Sequence, residues 1–548
     1  MSLFEDLKEV IKGEVLSDPQ TLSFYSHDTS LFEIKPKVVV YPKDSEDVER
    51  LVQYIVKKKQ EDPTISLTAR SGGTDMGGGA INDSIIVDFT KHFNQIKNFE
   101  EETITAQPGV FYRDFEKETL KRGLYLPSYP ASKNICALGG MINNNSGGEK
   151  TLIHGKTIDY VEGLKVILRD GNEYSLEALN RQQLDEKLKA ENFEGEFYRQ
   201  IYRIVEENYE TIKAAKPKVS KNSTAYNLWD VWDREKGVFD LSKLFVGSQG
   251  TLGLVTEAKL KLIPIRKYSG LLVIYVEDLH KLPELVHAVV PTKPESFEAF
   301  DDHTMKLALK FIPKFVQILG LKGTIEMGLN FLPQLLMFAT EGIPKFTLLV
   351  EYGGETQDEV DQKLEELHQQ IKHFNIKTSK ANTKSKAEKY WVIRRESFNL
   401  LRKNIKDKHT APFIDDFIVS PEHLLEFFPR LTAILDKYQL LYTIAGHMGD
   451  GNFHVIPLMN LALAGEKEKI PIVANEVYDL VLEYKGSISA EHNDGLIRGP
   501  YLQKMYGEKM FNFFKEVKNI FDPENIFNPH KKTDASMEYS LQHVRDHF

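Results

Sequence analysis

The sequence predicts an α+β protein with more than one domain, and three observations lead to this expectation. The chain of 548 residues is longer than one hydrophobic core usually serves. Near the amino terminus, two strand-like runs flank a helical pattern, and near residue 268 a new series of antiparallel strands and helices begins. The apolar content of 41% excludes wholesale disorder.

The first of these patterns is a βαβ unit. Its strands are predicted at residues 37–41 and 65–69, where apolar residues are concentrated. Between them, Ser45 is expected to cap a helix, because the apolar residues that follow recur at helical spacing. These residues are Val48, Leu51, Val52, Ile55 and Val56.

Charge and cysteine content exclude several classes of protein. A net charge of −10, with no arginine-rich stripe, argues against nucleic-acid binding. The single cysteine, Cys136, excludes an intrachain disulfide or an iron–sulfur cluster held by this chain alone, and its apolar surroundings favour a buried small hydrophobe. Residues 1–16 are acidic and amphipathic rather than basic and then apolar, so a cytoplasmic protein is expected.

Three loops rich in glycine and other small residues lie at 70–80, 138–148 and 245–257. Glycine lets successive backbone N–H groups approach a ligand closely, as a pyrophosphate requires. The first loop has neither Rossmann nor Walker spacing, and alone it is equally compatible with a flexible turn. Together the loops indicate a long, extended dinucleotide, and FAD fits this description. The loop residues expected to bind it are Arg70, Ser71, Gly72, Gly73, Thr74, Asp75, Gly77, Gly139, Gly140, Asn143, Ser146, Gly147, Gly250, Thr251, Gly253 and Val255.

A second constellation of residues points to a metal. His447 and His454 flank an Asp-Gly turn between two apolar runs, so a hairpin would bring both imidazoles to the same end. Imidazole suits zinc, iron or manganese, and Glu491 is a candidate third ligand that leaves positions open for a substrate oxygen. The structural alternative is a pair of turn-flanking histidines with a distant Glu-His pair at the surface.

The order of these motifs resembles that of a known family. The strand at 36–41 with its Pro-Lys-Asp turn, the three loops, the His-x-Gly-Asp-Gly-Asn-x-His hairpin, Glu491-His492 and Asn528-Pro529 are similar to those of FAD-linked oxidases of the vanillyl-alcohol oxidase superfamily. The branch that holds D-lactate dehydrogenase, the glycolate oxidase flavoprotein subunit and D-2-hydroxyglutarate dehydrogenase resembles the chain most. The resemblance covers about residues 36–529 and adds Asn528 to the expected FAD contacts.

The resemblance implies a domain organisation. Residues 1–266 are expected to form an FAD-binding domain of the PCMH type, made of two subdomains, with a polar helical insertion at about 176–240. Residues 267–500 are expected to form a substrate or cap domain on an antiparallel sheet, and residues 501–548 to return to the flavin domain.

The cap domain is expected to carry an apolar helical insertion at about 303–342. Its apolar runs are shorter than a membrane span and are interrupted by Pro313 and Pro333, so it is not transmembrane. It is interpreted either as an extra helical hairpin packed on the cap, or as a surface for peripheral contact with the inner face of a membrane or with a redox partner.

The resemblance also implies an activity, the oxidation of a D-2-hydroxy acid to the 2-oxo acid. In such enzymes, the residues that match His447, His454 and Glu491 bind a divalent metal (zinc, manganese or iron), and the residue that matches His492 is the base. A role for His492 as a hydrogen-bonding partner of the metal site stays open. Arg394 matches an arginine that binds the substrate carboxylate, although a solvated helix charge is the alternative.

Four positions depart from relatives in this family. Ile414 stands where the D-2-hydroxyglutarate enzymes have lysine, Ile456 where they have asparagine, and Asn493 where the family usually has glycine. These differences favour a less charged or more apolar 2-hydroxy acid, similar to lactate or glycolate. Thr74 replaces the histidine through which some relatives attach FAD covalently, so non-covalent FAD is expected.

Other interpretations of the family resemblance remain. The same fold serves non-redox flavin enzymes of the alkylglycerone-phosphate synthase type, although this sequence lacks their histidine run. A flavin- or metal-binding protein without activity is a third hypothesis. The electron acceptor is left open between a quinone, an iron–sulfur protein and an electron-transfer flavoprotein.

Overall fold

The computed structural model describes residues 2–310, 342–383, 386–388, 390, 391, 393, 394 and 408–546. Helices and sheets alternate throughout these residues, so the α+β prediction is confirmed. Most of the predicted insertion at 303–342 lies outside the described residues. The α-helices are Leu3–Val10, Pro19–Tyr25, Ser45–Lys59, Tyr112–Leu120, Leu138–Asn144, Thr151–His154, Arg181–Lys189, Phe193–Glu207, Tyr209–Ala215, Ser242–Phe245, Leu282–Val289, Asp302–Lys310, Gln357–Ile371, Leu424–Lys437, Glu466–Glu483, Gly495–Arg498, Leu502–Phe521 and Met537–Gln542.

The first sheet contains the predicted βαβ unit. Its strands β2 and β3 both pair in parallel with β4, and β1 adds an antiparallel edge. The helix Ser45–Lys59 connects β2 to β3, but the residue that caps it is Asp44, whose side chain accepts from Asp47 N, and not Ser45 as predicted. Ser45 instead donates to Glu173. The strands are β1 Glu14–Leu16, β2 Val38–Tyr41, β3 Leu67–Arg70 and β4 Ile85–Asp88.

The second sheet has seven strands in the order β10-β11-β9-β8-β12-β6-β5, and its pairings are antiparallel. A separate two-stranded pair joins β7 to β13. The region 176–240 contributes three helices, and its amphipathic helix Phe193–Glu207 packs Phe197 against Phe521. The strands are β5 Ile96–Glu100, β6 Thr103–Ala106, β7 Leu124–Tyr125, β8 Val161–Ile167, β9 Glu173–Leu179, β10 Trp232–Asp233, β11 Val238–Asp240, β12 Leu254–Lys261 and β13 Ile263–Pro264.

The third sheet is antiparallel and lies in the part of the chain predicted as the cap. Its strand order is β17-β14-β16-β15-β20-β21-β18, and β19 also pairs with β21. Leu272, Ile274 and Val276 of β14 belong to the large apolar core that the helices cover. The strands are β14 Tyr268–Val276, β15 Ser296–Asp301, β16 Phe346–Gly354, β17 Lys377–Ala381, β18 His409–Thr410, β19 Phe417–Ile418, β20 Leu441–His447 and β21 Asn452–Met459.

The carboxyl-terminal residues pack against the amino-terminal half of the chain. Phe521, at the end of the helix Leu502–Phe521, lies in the same apolar cluster as Phe245, and the two rings are 5.2 Å apart. Beyond the helix, Phe527 forms a parallel bridge to Leu67 of β3. Within the described residues, no helix has both the length and the apolar composition needed to cross a bilayer.

Candidate active site

A single cavity of about 490 Å³ joins the glycine-rich loops to the histidine hairpin. Its wall is built by the amino-terminal half of the chain on one side and by the third sheet on the other. Of the residues predicted to bind a cofactor, a metal or a substrate, all line this cavity except Gly77, Thr251 and Asn528. Residues more than 400 positions apart in the sequence, such as Arg70 and His492, therefore line the same cavity.

The glycine loops approach the cavity with their backbones. A Cβ atom on Gly72 would lie 2.5 Å from Ile135 O, and one on Gly139 would lie 2.7 Å from Pro108 Cβ, so side chains do not fit there. Arg70 is buried in the same wall, and its Nη1 has no hydrogen-bond partner among the described residues. A buried guanidinium with a free donor next to close-packed backbone suits the anionic pyrophosphate of a dinucleotide.

The three predicted FAD contacts outside the wall support the loops from behind. Asn528 donates through Nδ2 to Gly79 O at 2.9 Å and to Gln249 O at 2.7 Å, which ties the first loop to the third. Thr251 donates to Ser248 O at 2.7 Å, a bond within the third loop. Gly77 N donates to Asp75 Oδ2 at 3.0 Å.

The hairpin of β20 and β21 brings both of its histidines to one face of the sheet. His454 pairs with Ala445, and His447 lies two residues beyond Ala445, so the two imidazoles are diagonal neighbours. Their ring centroids are 5.4 Å apart. The turn has little freedom, because Gly451 has φ +72° and a Cβ there would lie 1.9 Å from Val419 O.

Carboxylates hold the Nδ1 atom of every histidine in the cluster. Glu298 Oε1 lies 2.5 Å from Nδ1 of His447. One carboxylate, that of Asp415, serves both other rings, at 3.0 Å from His454 Nδ1 and 2.7 Å from His492 Nδ1. Such contacts fix imidazole orientation and leave each Nε2 available to a cation.

Glu491 and His492 are held by the backbone next to the hairpin. Asp416 Oδ2 accepts from the N–H groups of both residues, at 2.8 Å and 2.6 Å. Glu491 Oε2 lies 3.3 Å from His447 Nε2, and the His492 ring stacks on His454 with centroids 4.9 Å apart. Because its oxygens already accept several hydrogen bonds, Asp416 orients the segment and is poorly available as a metal ligand.

Among the described residues, one group could surround a metal ion: ligand atoms of Asp416, His454, Glu491 and His492 lie within 4.8 Å of one another. This group shares His454 and Glu491 with the predicted ligand set, and it replaces His447 with His492. Imidazole and carboxylate donors of this kind fit zinc, iron or manganese. His447 and His492 therefore both stay candidates for the ligand position beside His454 and Glu491.

The electrostatics of this cluster favour positive charge. Burial lowers the pKa of His447, but Glu298 and Glu491 outweigh it and raise that pKa to about 9. Burial acts in the same way on His492, and Asp415 and Asp416 raise its pKa to about 9. Burial raises the pKa of Glu491, yet His447 and other cations hold it well below its usual range. A site that retains protons this strongly also attracts a metal cation, which must displace them.

Arg394 lines the same cavity, next to the histidine cluster. Its Nη2 is 3.2 Å from Glu298 Oε2, so Glu298 orients both this arginine and His447. The side chain is 14% exposed, which argues against a solvated helix charge. A guanidinium held next to the histidine cluster can bind a carboxylate within reach of the proposed base.

Comparison with known proteins places this site in a family. A model of the FAD binding domain matches residues 36–177, and a model of the C-terminal domain of FAD linked oxidases matches residues 266–532. The chain belongs to the FAD-linked oxidases. The family resemblance inferred from the motifs is thereby confirmed. The FAD binding domain match falls within the predicted domain 1–266, whose bounds stay a prediction.

Several curated proteins are similar to this FAD-linked oxidase over most of its length. It is 29% identical to D-2-hydroxyglutarate dehydrogenase of Pseudomonas putida, with 95% of this chain and 50% of that protein aligned. It is 27% identical to the glycolate oxidase subunit GlcD of Bacillus subtilis, over 92% and 91% of the two chains. It is 25% identical to D-lactate dehydrogenase of Anaerostipes hadrus, over 96% of each. The chain spans about half the length of the D-2-hydroxyglutarate dehydrogenases of Pseudomonas putida and Escherichia coli.

Solved structures share the fold at low sequence identity. 4-Ethylphenol oxidase from Gulosibacter chungangensis superimposes with a TM-score of 0.67 at 15% identity, covering 98% of this chain and 97% of that one. p-Cresol methylhydroxylase gives a TM-score of 0.66 at 16% identity. Alkyldihydroxyacetonephosphate synthase gives 0.65 at 14% identity, over 96% of this chain. The predicted PCMH-type fold is thus confirmed.

Two of the departures noted in the sequence differ in their position in this FAD-linked oxidase. Ile456 lines the cavity, since it lies two residues beyond His454 on the same face of β21. Ile414 is fully buried in the core of the third sheet and is not part of the cavity wall. Of these two isoleucines, only Ile456 can therefore contact a ligand in this cavity directly.

Asn493 keeps the backbone conformation that its neighbours require. Its φ is +63°, in the left-handed region that favours glycine and, after glycine, asparagine. The side chain donates to Gly247 O at 2.9 Å and accepts from Lys532 Nζ at 2.7 Å. The exchange of glycine for asparagine thus preserves the bend after Glu491-His492.

Sequence reasoning missed four buried charges of this site: Glu298, Asp415, Asp416 and Lys221. Glu298 and the pair Asp415-Asp416 are flanked by apolar residues, and buried carboxylates without an adjacent cation are a recognisable pattern. Lys221 belongs to the region 176–240, which sequence reasoning assigned to a polar insertion, and no local pattern distinguishes it from a surface lysine.

We predict that FAD is bound without a covalent link. Thr74 lines the cavity where some relatives use histidine, and Cys136, which also lines it, is a poor nucleophile because burial raises its pKa to about 12. Acid denaturation followed by ultrafiltration should move all yellow colour into the filtrate. Flavin fluorescence that stays with the polypeptide on a denaturing gel would contradict the prediction.

Proposed function

We propose that this FAD-linked oxidase catalyses the metal-assisted oxidation of a small D-2-hydroxy acid to the 2-oxo acid. The observation that carries the proposal is the common cavity, whose wall combines the glycine loops, three histidines, Glu491 and Arg394. The curated relatives named as D-2-hydroxyglutarate dehydrogenase, glycolate oxidase subunit and D-lactate dehydrogenase support the substrate class.

The residues of this chain divide the work of binding and proton transfer. Arg394 would bind the substrate carboxylate through its fork of donors and so align the adjacent carbon. His492 would accept the hydroxyl proton at Nε2 in its neutral form, while Asp415 holds its Nδ1. The proton that its raised pKa retains must therefore be lost first, as on metal binding. When bound, FAD would accept the two electrons, and a divalent metal would lower the pKa of the substrate hydroxyl. His447, His454, His492 and Glu491 are the residues available to hold that metal, and the role of His492 is tested below.

The hairpin face next to the metal site supports a short, apolar substrate side chain. Thr443, Ala445 and Ile456 line the cavity beside His454 and offer no formal charge. A second carboxylate packed against Ile456 would lose its solvation without gaining a partner there. We therefore propose a substrate similar to lactate or glycolate, with one carboxylate.

The experiment that tests this proposal is anaerobic reduction of the bound flavin. Purified protein is mixed with D- and L-lactate, glycolate and D-2-hydroxyglutarate, and flavin absorbance is followed over time. We expect D-lactate or glycolate to bleach the flavin fastest. No bleaching by any 2-hydroxy acid, with FAD and metal present, would contradict the oxidation and favour a non-redox flavin reaction.

A companion variant tests the role of Ile456. Ile456→Asn should shift the relative rates towards D-2-hydroxyglutarate, by the tenfold to 200-fold that one apolar contact is typically worth, about 1–3 kcal/mol. Ile414→Val serves as the control, because it alters a buried side chain outside the cavity.

The electron acceptor is proposed to be a quinone, an iron–sulfur protein or an electron-transfer flavoprotein. Steady-state assays that supply each of these in turn as the oxidant separate the three.

A further inference from the structure

A buried lysine contacts the proposed metal ligand Glu491 from a distant part of the chain. The Lys221 side chain is 1% exposed, and its Nζ donates to Glu491 Oε1 at 2.7 Å and to Asp450 Oδ2 at 2.9 Å. Asp450 belongs to the turn between His447 and His454, and its other oxygen accepts from Ser220 at 2.6 Å. Lys221 thus joins the hairpin turn to Glu491.

The residues around Lys221 form a brace along the segment that carries Glu491 and His492. We define this brace as residues 220–225, and its contacts follow segment 487–494 almost residue by residue. Asn222 Oδ1 accepts from Ser487 at 2.7 Å, and Ser223 N donates to Ser489 O at 3.1 Å. Further along, Ala225 N donates to Asp494 Oδ2 at 2.8 Å. Such a series of contacts fixes the position of the Lys221 backbone relative to Glu491.

We propose that Lys221 is a positioning residue for Glu491, and this inference rests on the proposed function. An ammonium group has three donors and no acceptor, so it occupies Oε1 of Glu491 and leaves Oε2 to face the histidines. Oε2 is the oxygen that lies 3.3 Å from His447 Nε2. Glu491 would therefore offer a metal one oxygen and keep further coordination positions free for substrate.

Lys221 could in principle act in the opposite direction, because its positive charge repels a metal cation at short range. The two effects have opposite signs on metal affinity. If orientation dominates, removing the ammonium weakens metal binding. If repulsion dominates, removing it strengthens binding. The buried pair of acids favours orientation, since Asp450 and Glu491 together already offset more than one positive charge.

The test compares Lys221→Met with Lys150→Met in the FAD-loaded protein. Lys150 is a matched control, because its Nζ also lies between two buried carboxylates, at 2.8 Å from Glu295 and 2.6 Å from Glu351, but it does not contact Glu491. Equilibrium dialysis against zinc and against manganese gives the dissociation constants, and absorbance gives the FAD content. We expect metal affinity to fall about 10- to 100-fold in Lys221→Met, as for other residues that orient a metal ligand. Metal affinity should be unchanged in Lys150→Met.

A second variant covers loss of folding in Lys221→Met. Lys221→Met combined with Asp450→Asn removes one charge of each sign, and it should lose metal affinity to a similar extent. If the wild-type protein binds metal and either Lys221 variant binds it equally or more tightly, the positioning role alone would be overturned. A wild-type protein that holds FAD but binds neither metal would instead overturn the metal part of the proposed function, and the role of Lys221 with it.

Discussion

Replacing His447 or His454 with alanine should remove the metal and leave the flavin in place. Each variant loses one imidazole of the cluster. The loss of a direct ligand should lower the rate of flavin reduction by more than the roughly 10- to 100-fold typical of a supporting residue. FAD content should stay normal, because the loops at 70–80, 138–148 and 245–257 belong to the other wall of the cavity. Atomic absorption and single-turnover reduction measure the two effects.

The two histidines differ in what they leave behind. His447→Ala also leaves the buried carboxylate of Glu298 with one partner fewer, so a lower free energy of unfolding is expected in addition. His454→Ala leaves Asp415 bonded to His492 and should be the milder change. His423→Ala, a surface histidine of the same half of the chain, is the control and should keep metal and activity. Full activity of both hairpin variants in the presence of a chelator would show that the hairpin is structural.

Local sequence was sufficient for the parts of the site that depend on short-range geometry. The Asp-Gly turn sets the register of β20 and β21, and the period of two in a strand then brings Ala445, His447, His454 and Ile456 to one face. By the same rule Ile456, two residues from His454, lies on the face that carries the histidines, whereas the residue between them lies on the other face of the sheet. The glycine loops were recognisable because only glycine permits the close backbone approach at Gly72 and Gly139.

Contacts between distant segments could not be predicted in this way. Lys221 and Glu491 are 270 residues apart, and no periodicity connects them. Asp415 serves two histidines that are 39 and 77 residues away, which depends on how β19 pairs with β21. Serine and aspartate are both favoured helix caps, so residue type alone could not choose between Ser45 and Asp44. In the structure Asp44, one residue earlier, makes the capping bond.

The second large effect is expected from His492→Ala. This variant should keep FAD and metal but slow flavin reduction by about 100- to 10,000-fold, as is typical of losing a general base. Ligand atoms of Glu491 and His492 both belong to the group that could surround a metal ion, so the variants, and not the geometry alone, separate the base from the ligand. The Glu491 carboxylate lies beside His447, while His492 stacks on His454 with its Nδ1 on Asp415.

Glu491→Ala supplies the comparison that separates base from ligand. We expect it to lower metal occupancy together with the rate, because it removes the only carboxylate that faces His447 Nε2 among the described residues. Glu491→Gln keeps the shape of the side chain and isolates the effect of charge. Metal analysis and single-turnover reduction on the three variants decide the assignment. If His492→Ala loses the metal while Glu491→Ala retains it, the two roles are reversed, and the ligand group of His454, His492 and a carboxylate that the geometry also allows replaces the one proposed.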